Sequence, residues 1–148
     1  MRSERGLAEF VLLLYFVFFL TMMAFLLGVC LSLWRDAQAK HQWIYESLAF
    51  AAFAANQTGG VEEVELNQGF ARRVFEAVLA DAVPGAQVLE FRAVRPGDAV
   101  PGGTAAEPGY LAVVRVPLAE VRVPLLGPQR VEVPMRLFAV VQSREIGI

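Results

Sequence analysis

Hydrophobic and polar positions split this chain into two regimes that meet at Trp34. Residues 10–34 carry no charged side chain, and a helix through them would be apolar around its whole circumference. Those 25 residues span about 37 Å at about 1.5 Å per residue, enough to cross a hydrocarbon core of about 30 Å with some tilt. After Trp34 the pattern narrows to a stripe. Leu27, Cys30, Trp34, Ala37, His41, Ile44, Leu48, Ala51 and Ala55 recur at alternate spacings of three and four, which puts them on one helical face. Trp43, Phe50, Ala52 and Phe53 widen the apolar surface near the end of that stripe. Residues 35–56 hold no proline and are rich in helix formers, and Gly59 and Gly60 supply a stop. One helix from about Leu7 to Asn56 is predicted, about 75 Å long.

Beyond the glycines the period changes. "VEEVEL" at 61–66 reads as a short strand, and Asn67 as the N-cap of a helix over 68–82. Phe70, Val74, Val78 and Leu79 give that helix an apolar face, with Arg72, Arg73 and Glu76 on its wet side. Pro84 and Gly85 end it. "QVLEFRAV" alternates Leu89, Phe91 and Ala93 against Glu90 and Arg92, the mark of a half-buried strand. Residues 95–109 read as a long Gly/Pro loop with no element of its own. "YLAVVRVPL" is a strand that Pro117 ends or confines to an edge. Residues 121–133 read as strand, Gly-Pro turn, strand. The longest strand candidate is "RVEVPMRLFAVVQSRE", with Val133, Met135, Leu137, Ala139 and Val141 on one face.

The predicted fold class is therefore α+β. A long N-terminal helix, half transmembrane and half projecting, packs on a small, mainly antiparallel sheet with one short helix. The expected organisation is a tail at 1–6, a transmembrane helix at 7–34, its extramembrane continuation at 35–58, and a small α+β domain at 59–148.

Composition agrees with a membrane protein, since 56% of the residues are hydrophobic and only 19% charged. Net charge is −2, and arginines and lysines are scattered rather than patched, so nucleic acid is not an expected partner. The apolar run is longer than the core of about 7–15 residues in a secretory signal, and "LSLWRDAQAK" offers no small-residue cleavage site. "LLGVC" has Val29 where a lipid-modification box needs a small residue, so lipidation of Cys30 is not expected. Arg2 and Arg5 precede the span; Arg35 and Lys40 follow it, a small charge asymmetry. With all folded mass after the span, the simplest topology places the tail in the cytoplasm and the domain outside. Trp34 then serves as an interfacial anchor.

Candidate chemistry is sparse. Cys30 is the single cysteine and His41 the single histidine, so no disulfide within the chain and no cysteine- or histidine-based metal site is expected. His41 stands in the stripe as a packing or surface residue. Glu62, Glu63 and Glu65 form an acidic cluster that matches no calcium-loop spacing and reads as a solvated edge. "GPQR" and "PGG" are turns, not phosphate cradles. "NQT" at 56–58 is a formal glycosylation sequon that doubles as a helix C-terminus. No convergent catalytic set and no cofactor motif emerges, so an enzyme is not expected.

Glu9 is the one acid pressed against the apolar run. It can snorkel to the interface beside Arg5 and complement the helix dipole, or pair with a positive group of another subunit within the membrane. The stretch "ERGLAEFVLLLYFVFF" resembles the N-terminus of TadE-like proteins, the pseudopilins of the tight-adherence branch of type IV pili. In that family a basic, glycine-containing stretch precedes a Glu-Phe or Glu-Tyr pair and then the hydrophobic helix; Glu9 and Phe10 match the pair. "ESLAFAAFAANQTGG" and "FARRVFEAVLADAV" look similar to the family's alanine-rich helix end and the short helix after it. The resemblance covers about the first 80 residues. It implies a pilin-like structural subunit of a tight-adherence pilus or its initiation complex, serving cell adhesion and assembling through its N-terminal helix. Gly6 sits closer to Glu9 than the pilin cleavage glycine does, so cleavage after Gly6 is not implied. The interaction residues expected are Glu9, Arg5, Phe10, Ile44, Leu48 and Ala51. Partners are the membrane and other pilin-like subunits or assembly-machine proteins, in a homo- or hetero-oligomer. The location implied is single-pass in the inner or cell membrane, or extracellular for a filament subunit. The alternative is a bitopic accessory protein of a secretion, pilus-assembly or division machine with a non-catalytic docking domain.

Overall fold

A computed structural model describes residues 2–141, with the side chains of residues 5–141. Met1, the end of the last strand candidate at 142–145, and the rest of the 59–148 domain beyond Val141 lie outside the described residues. The chain divides into two compact units, Met1–Arg35 and Asp36–Ile148.

Helix α1 runs Arg2–Ala55 without interruption. In the first unit every side chain from 5 to 28 is exposed, as expected of a helix with no intramolecular surface to cover it. Thr21, a polar residue inside the run, donates its hydroxyl to Val17 O at 2.8 Å, so its hydrogen is satisfied within the helix, as a membrane span would require. This is one helix long and apolar enough to cross a membrane.

In the second unit, the remainder of α1 packs on a three-stranded antiparallel sheet. Its strands are β1 (Gln87–Val94), β4 (Gly109–Pro117) and β7 (Glu132–Val140), in the order β1-β4-β7. Helices α2 (Val61–Leu66) and α3 (Gln68–Ala82) share that face. Ile44, Leu48, Ala51 and Ala52 meet Phe75 and Leu79 of α3 and Phe91, Tyr110, Ala112, Val114 and Leu137 of the sheet in one buried core. Phe75 stands 5.7 Å from Phe91, and Phe91 stacks 5.3 Å from Tyr110. The fold class is thus α+β, as the pattern implied.

Several local expectations are corrected. Residues 61–66 are helix, not strand. The Glu63 carboxylate, at the third helical position, turns back and accepts from amides 57–59, and this capping outweighs the alternation of Val and Glu. Asn67 stands at the N-cap of α3, but its side chain makes no cap bond there. It donates to Ala55 O at 2.8 Å and closes the end of α1 instead. The buried stripe of α3 is Ala71, Phe75 and Leu79, leaving Phe70 exposed and Val74 and Val78 half-buried. Anchors at Asn67 and Gln68 set the rotation of α3 and turn its inner face by one residue.

In β1 a bulge at Leu89 breaks the alternation, so Leu89 is exposed while Phe91 is buried. The loop after β1 does contain an element, the ribbon β2 (Ala99–Val100) with β3 (Gly103–Thr104). It folds Ala105 and Val100 over Val94 and Leu111 as a small second core on the outer sheet face. Strand β4 ends at Pro117, but it is central, not an edge, which explains why Gly109, Tyr110, Leu111 and Ala112 are buried in succession. Hairpin β5 (Val121–Val123) and β6 (Gly127–Gln129) turns on residues 124–126, so the Gly-Pro pair opens β6 rather than forming the turn. Strand β7 buries Met135, Leu137 and Ala139 on the expected face, followed by Val141, with Val133 half-buried.

Candidate interaction site

Two surfaces follow from how the sequence allots its apolar residues. The first is the apolar part of α1. Glu9 lies one helical turn beyond Arg5, where a pair could form, yet neither makes an ion pair or hydrogen bond among the described residues. Glu9 instead borders a shallow apolar depression with Leu12, Leu13, Tyr15 and Phe16. Phe10 is exposed beside it. A carboxylate at this place, unpaired among the described residues, is available to a cation or to water.

The second surface is what the domain leaves uncovered on α1. Ile44, Leu48 and Ala51 are fully buried against the domain's own sheet. The stripe that contains them is therefore occupied within the chain from Ile44 onward. Leu27, Cys30, Trp34 and His41 of the same stripe are exposed. On the remaining faces Trp43, Tyr45, Phe50 and Phe53 are about half exposed, and Tyr45, Ala49, Phe50 and Phe53 line a groove with Val140 of β7.

The beginning of the second unit is fixed by polar contacts that sequence reasoning missed. Lys40 bridges Asp36 at 2.8 Å and donates to Pro117 O at 2.6 Å, while Ala119 N donates to Asp36 Oδ2 at 2.8 Å. The i,i+4 spacing of Asp36 and Lys40 was the available signal; their attachment to the end of β4 depends on the fold. Gln68 likewise acts as a surrogate strand partner. Its amide donates to Phe91 O at 3.2 Å and accepts from Ala93 N at 3.3 Å, capping part of the free edge of β1.

Glutamates 62, 63 and 65 do not converge on a common point. Glu63 accepts from the Thr58 hydroxyl and from the amides of Gln57, Thr58 and Gly59, at 2.9, 2.9 and 3.1 Å for the amides. The Thr58 hydroxyl, then the amides, hold its pKa down at about 2. Glu65 pairs with Arg95, whose hydrogen bond lowers the carboxyl's pKa. Under these, Tyr110 is fully buried: its hydroxyl donates to Val64 O at 2.7 Å and accepts from Asn56 Nδ2 at 3.2 Å. Burial raises the Tyr110 pKa, so it stays a neutral donor. Asn56, the sequon asparagine, is itself buried and donates to Ala52 O as well; its amide nitrogen is not open to a glycan in this fold.

The sequence matches no protein-family model, no curated protein and no solved structure.

Proposed function

We propose that the chain is a membrane-anchored, pilin-like structural subunit of a tight-adherence type IV pilus or of its initiation complex. Its apolar N-terminal helix packs against the helices of neighbouring subunits, and its domain lies on the extracytoplasmic side. The observation that carries this reading is the unequal use of one helix. Its second part is consumed in the core of a small domain through Ile44, Leu48 and Ala51. Its first part, uncharged from 10 to 34, is exposed from 10 to 28 and led by Glu9, which is unpaired among the described residues. A lipid-only anchor needs the apolar run but has no use for an acid against it, which carries a cost of up to about 2.5–3.5 kcal/mol at the bilayer centre and less near the boundary. A cationic group on a neighbouring subunit offsets that cost.

The test is Glu9→Gln in the native host. The variant is expected to insert and fold like the parent but to fail to enter sheared extracellular filaments or the membrane-bound assembly. Normal assembly would leave Glu9 as an interface anchor only. A parent protein found solely in membranes, in a defined complex and never in sheared material, would favour the accessory-protein reading instead.

A further inference from the structure

The three-stranded sheet has two outer edges, and the fold treats them differently. Gln68 covers part of the β1 edge, at Phe91 O and Ala93 N. Among the described residues no strand pairs with the outer edge of β7, and no other backbone group bonds to it. Leu118 N donates to Val131 O at 2.8 Å and Val141 N to Pro108 O at 3.0 Å, at the two ends of the β4–β7 ladder. The register between them is unbroken. Hydrogen-bonded pairs alternate with non-bonded ones in an antiparallel ladder, so odd-numbered residues of β7 turn their backbone to β4 and even-numbered ones turn theirs outward. Pro134 takes an outward position, where its missing amide removes no ladder bond. Arg136, Phe138 and Val140 each leave an amide and a carbonyl facing out.

Charge and proline, which usually blunt an edge, stop at Arg136. Glu132, Pro134 and Arg136 lie in the first part of β7, and residues 137–141 have neither. The bare part borders the groove that Tyr45, Ala49, Phe50 and Phe53 of α1 line with Val140. Leu137 and Ala139 face the α1 side of the sheet, within the core. In a strand added at this edge, the residues opposite Leu137 and Ala139 would face that same side, along the groove. The residue opposite Arg136 would share the other face with its guanidinium. Arg136 is exposed and has no ion pair among the described residues.

We infer that the edge of β7 from Arg136 to Val140 binds an extended segment of a partner protein by strand addition. The outward backbone row specifies an extended chain, the groove specifies apolar side chains two residues apart, and Arg136 specifies a carboxylate. Antiparallel to β7, the segment reads x-apolar-x-apolar-acid. The surface lies within the second unit and is independent of the pilin-like reading.

The test uses the full chain in detergent micelles and a fluorescein-labelled, end-blocked peptide, Ser-Thr-Val-Thr-Val-Glu-Ser, followed by anisotropy against protein-free micelles. Saturable binding is expected. N-methylation of the second threonine's amide, the partner of Phe138, should weaken binding about threefold to tenfold. Val140→Pro, which gives up only an outward amide as Pro134 does, should weaken it similarly at an unchanged Tm. Arg136→Glu should reverse the preference between this peptide and its counterpart with lysine in place of glutamate. No saturable binding overturns the inference, and so does equal binding of the N-methylated peptide, which would then occupy the groove without joining the sheet. Binding that appears only after residues 142–148 are deleted puts the chain's own end on the edge and overturns it. Binding seen only below the concentration at which the chain self-associates puts a second copy there and overturns it too.

Discussion

Glu63 holds the turn between α1 and α2 by gathering a hydroxyl and three successive amides around one carboxylate. Its pKa in the fold, about 2, lies below the ordinary value of 4.5, so the fold favours the ionised form. The stabilisation is therefore complete above about pH 4.5 and is lost as pH falls toward 2. Glu65, lowered by Arg95, adds in the same direction. Thermal melts of the parent should lose Tm across that interval. Glu63→Gln, which cannot ionise, should start from a lower Tm at neutral pH and fall less on acidification; equal pH slopes would exclude the role. Tyr110→Phe tests the buried network beneath. It removes the donor to Val64 O and the acceptor of Asn56 Nδ2, in a place where Asn56 Oδ1 already has no hydrogen-bond partner among the described residues. The expected cost is about 1–3 kcal/mol, read as a lowered denaturant midpoint at unchanged m. None of this was visible in the residue pattern. "VEEVEL" alternates like a strand, and a carboxylate's acceptance of amides several residues back has no periodic trace.

Among elements, the longer strands and the long helix were legible because their signals are local repeats: period two in β7, and in α1 an uncharged run followed by a spacing of three and four; the two-residue strands β2 and β3 carry no such repeat and were not. The rotation of α3 was not legible. Phe70, Val74 and Val78 make as good a stripe as Ala71, Phe75 and Leu79, and contacts from Asn67 to α1 and from Gln68 to β1 choose between them. The centrality of β4 was also hidden, since Pro117 is compatible with any strand that ends there. Gly109 opens that strand, paired with Val140 of β7. A Cβ at this position would lie 2.2 Å from Ala139 O and 2.7 Å from Phe138 Cε2. Gly109→Ala must therefore push the backbones of β4 and β7 apart at this end of the ladder. Overpacking of this kind costs about 1–3 kcal/mol or more, and chemical denaturation should show it. A neutral result would mean that β4 and β7 separate freely at this end.

At the scale of the molecule, the topology inside the proposed function is open to a direct check. Thr104 is exposed in the β2–β3 ribbon. In a Cys30→Ser background, Thr104→Cys should react with a membrane-impermeant thiol reagent in whole or outer-permeabilised cells. Reaction only after the inner membrane is broken would place the domain on the cytoplasmic side. The sequence by itself determined that one uncharged helix is long enough for a bilayer, that its continuation has an apolar face, and that a small α+β domain follows. Each of these rests on composition or on a short repeat, which neighbouring residues carry without help. Only the tertiary structure decided that Ile44, Leu48 and Ala51 are spent in the domain's own core, that Asp36 and Lys40 grip residues about 80 positions away, and that Leu125 and Leu126 stand bare at a hairpin tip. Those outcomes depend on which distant surfaces meet. An apolar side chain reads the same in a sequence whether its partner is another strand, another chain or lipid.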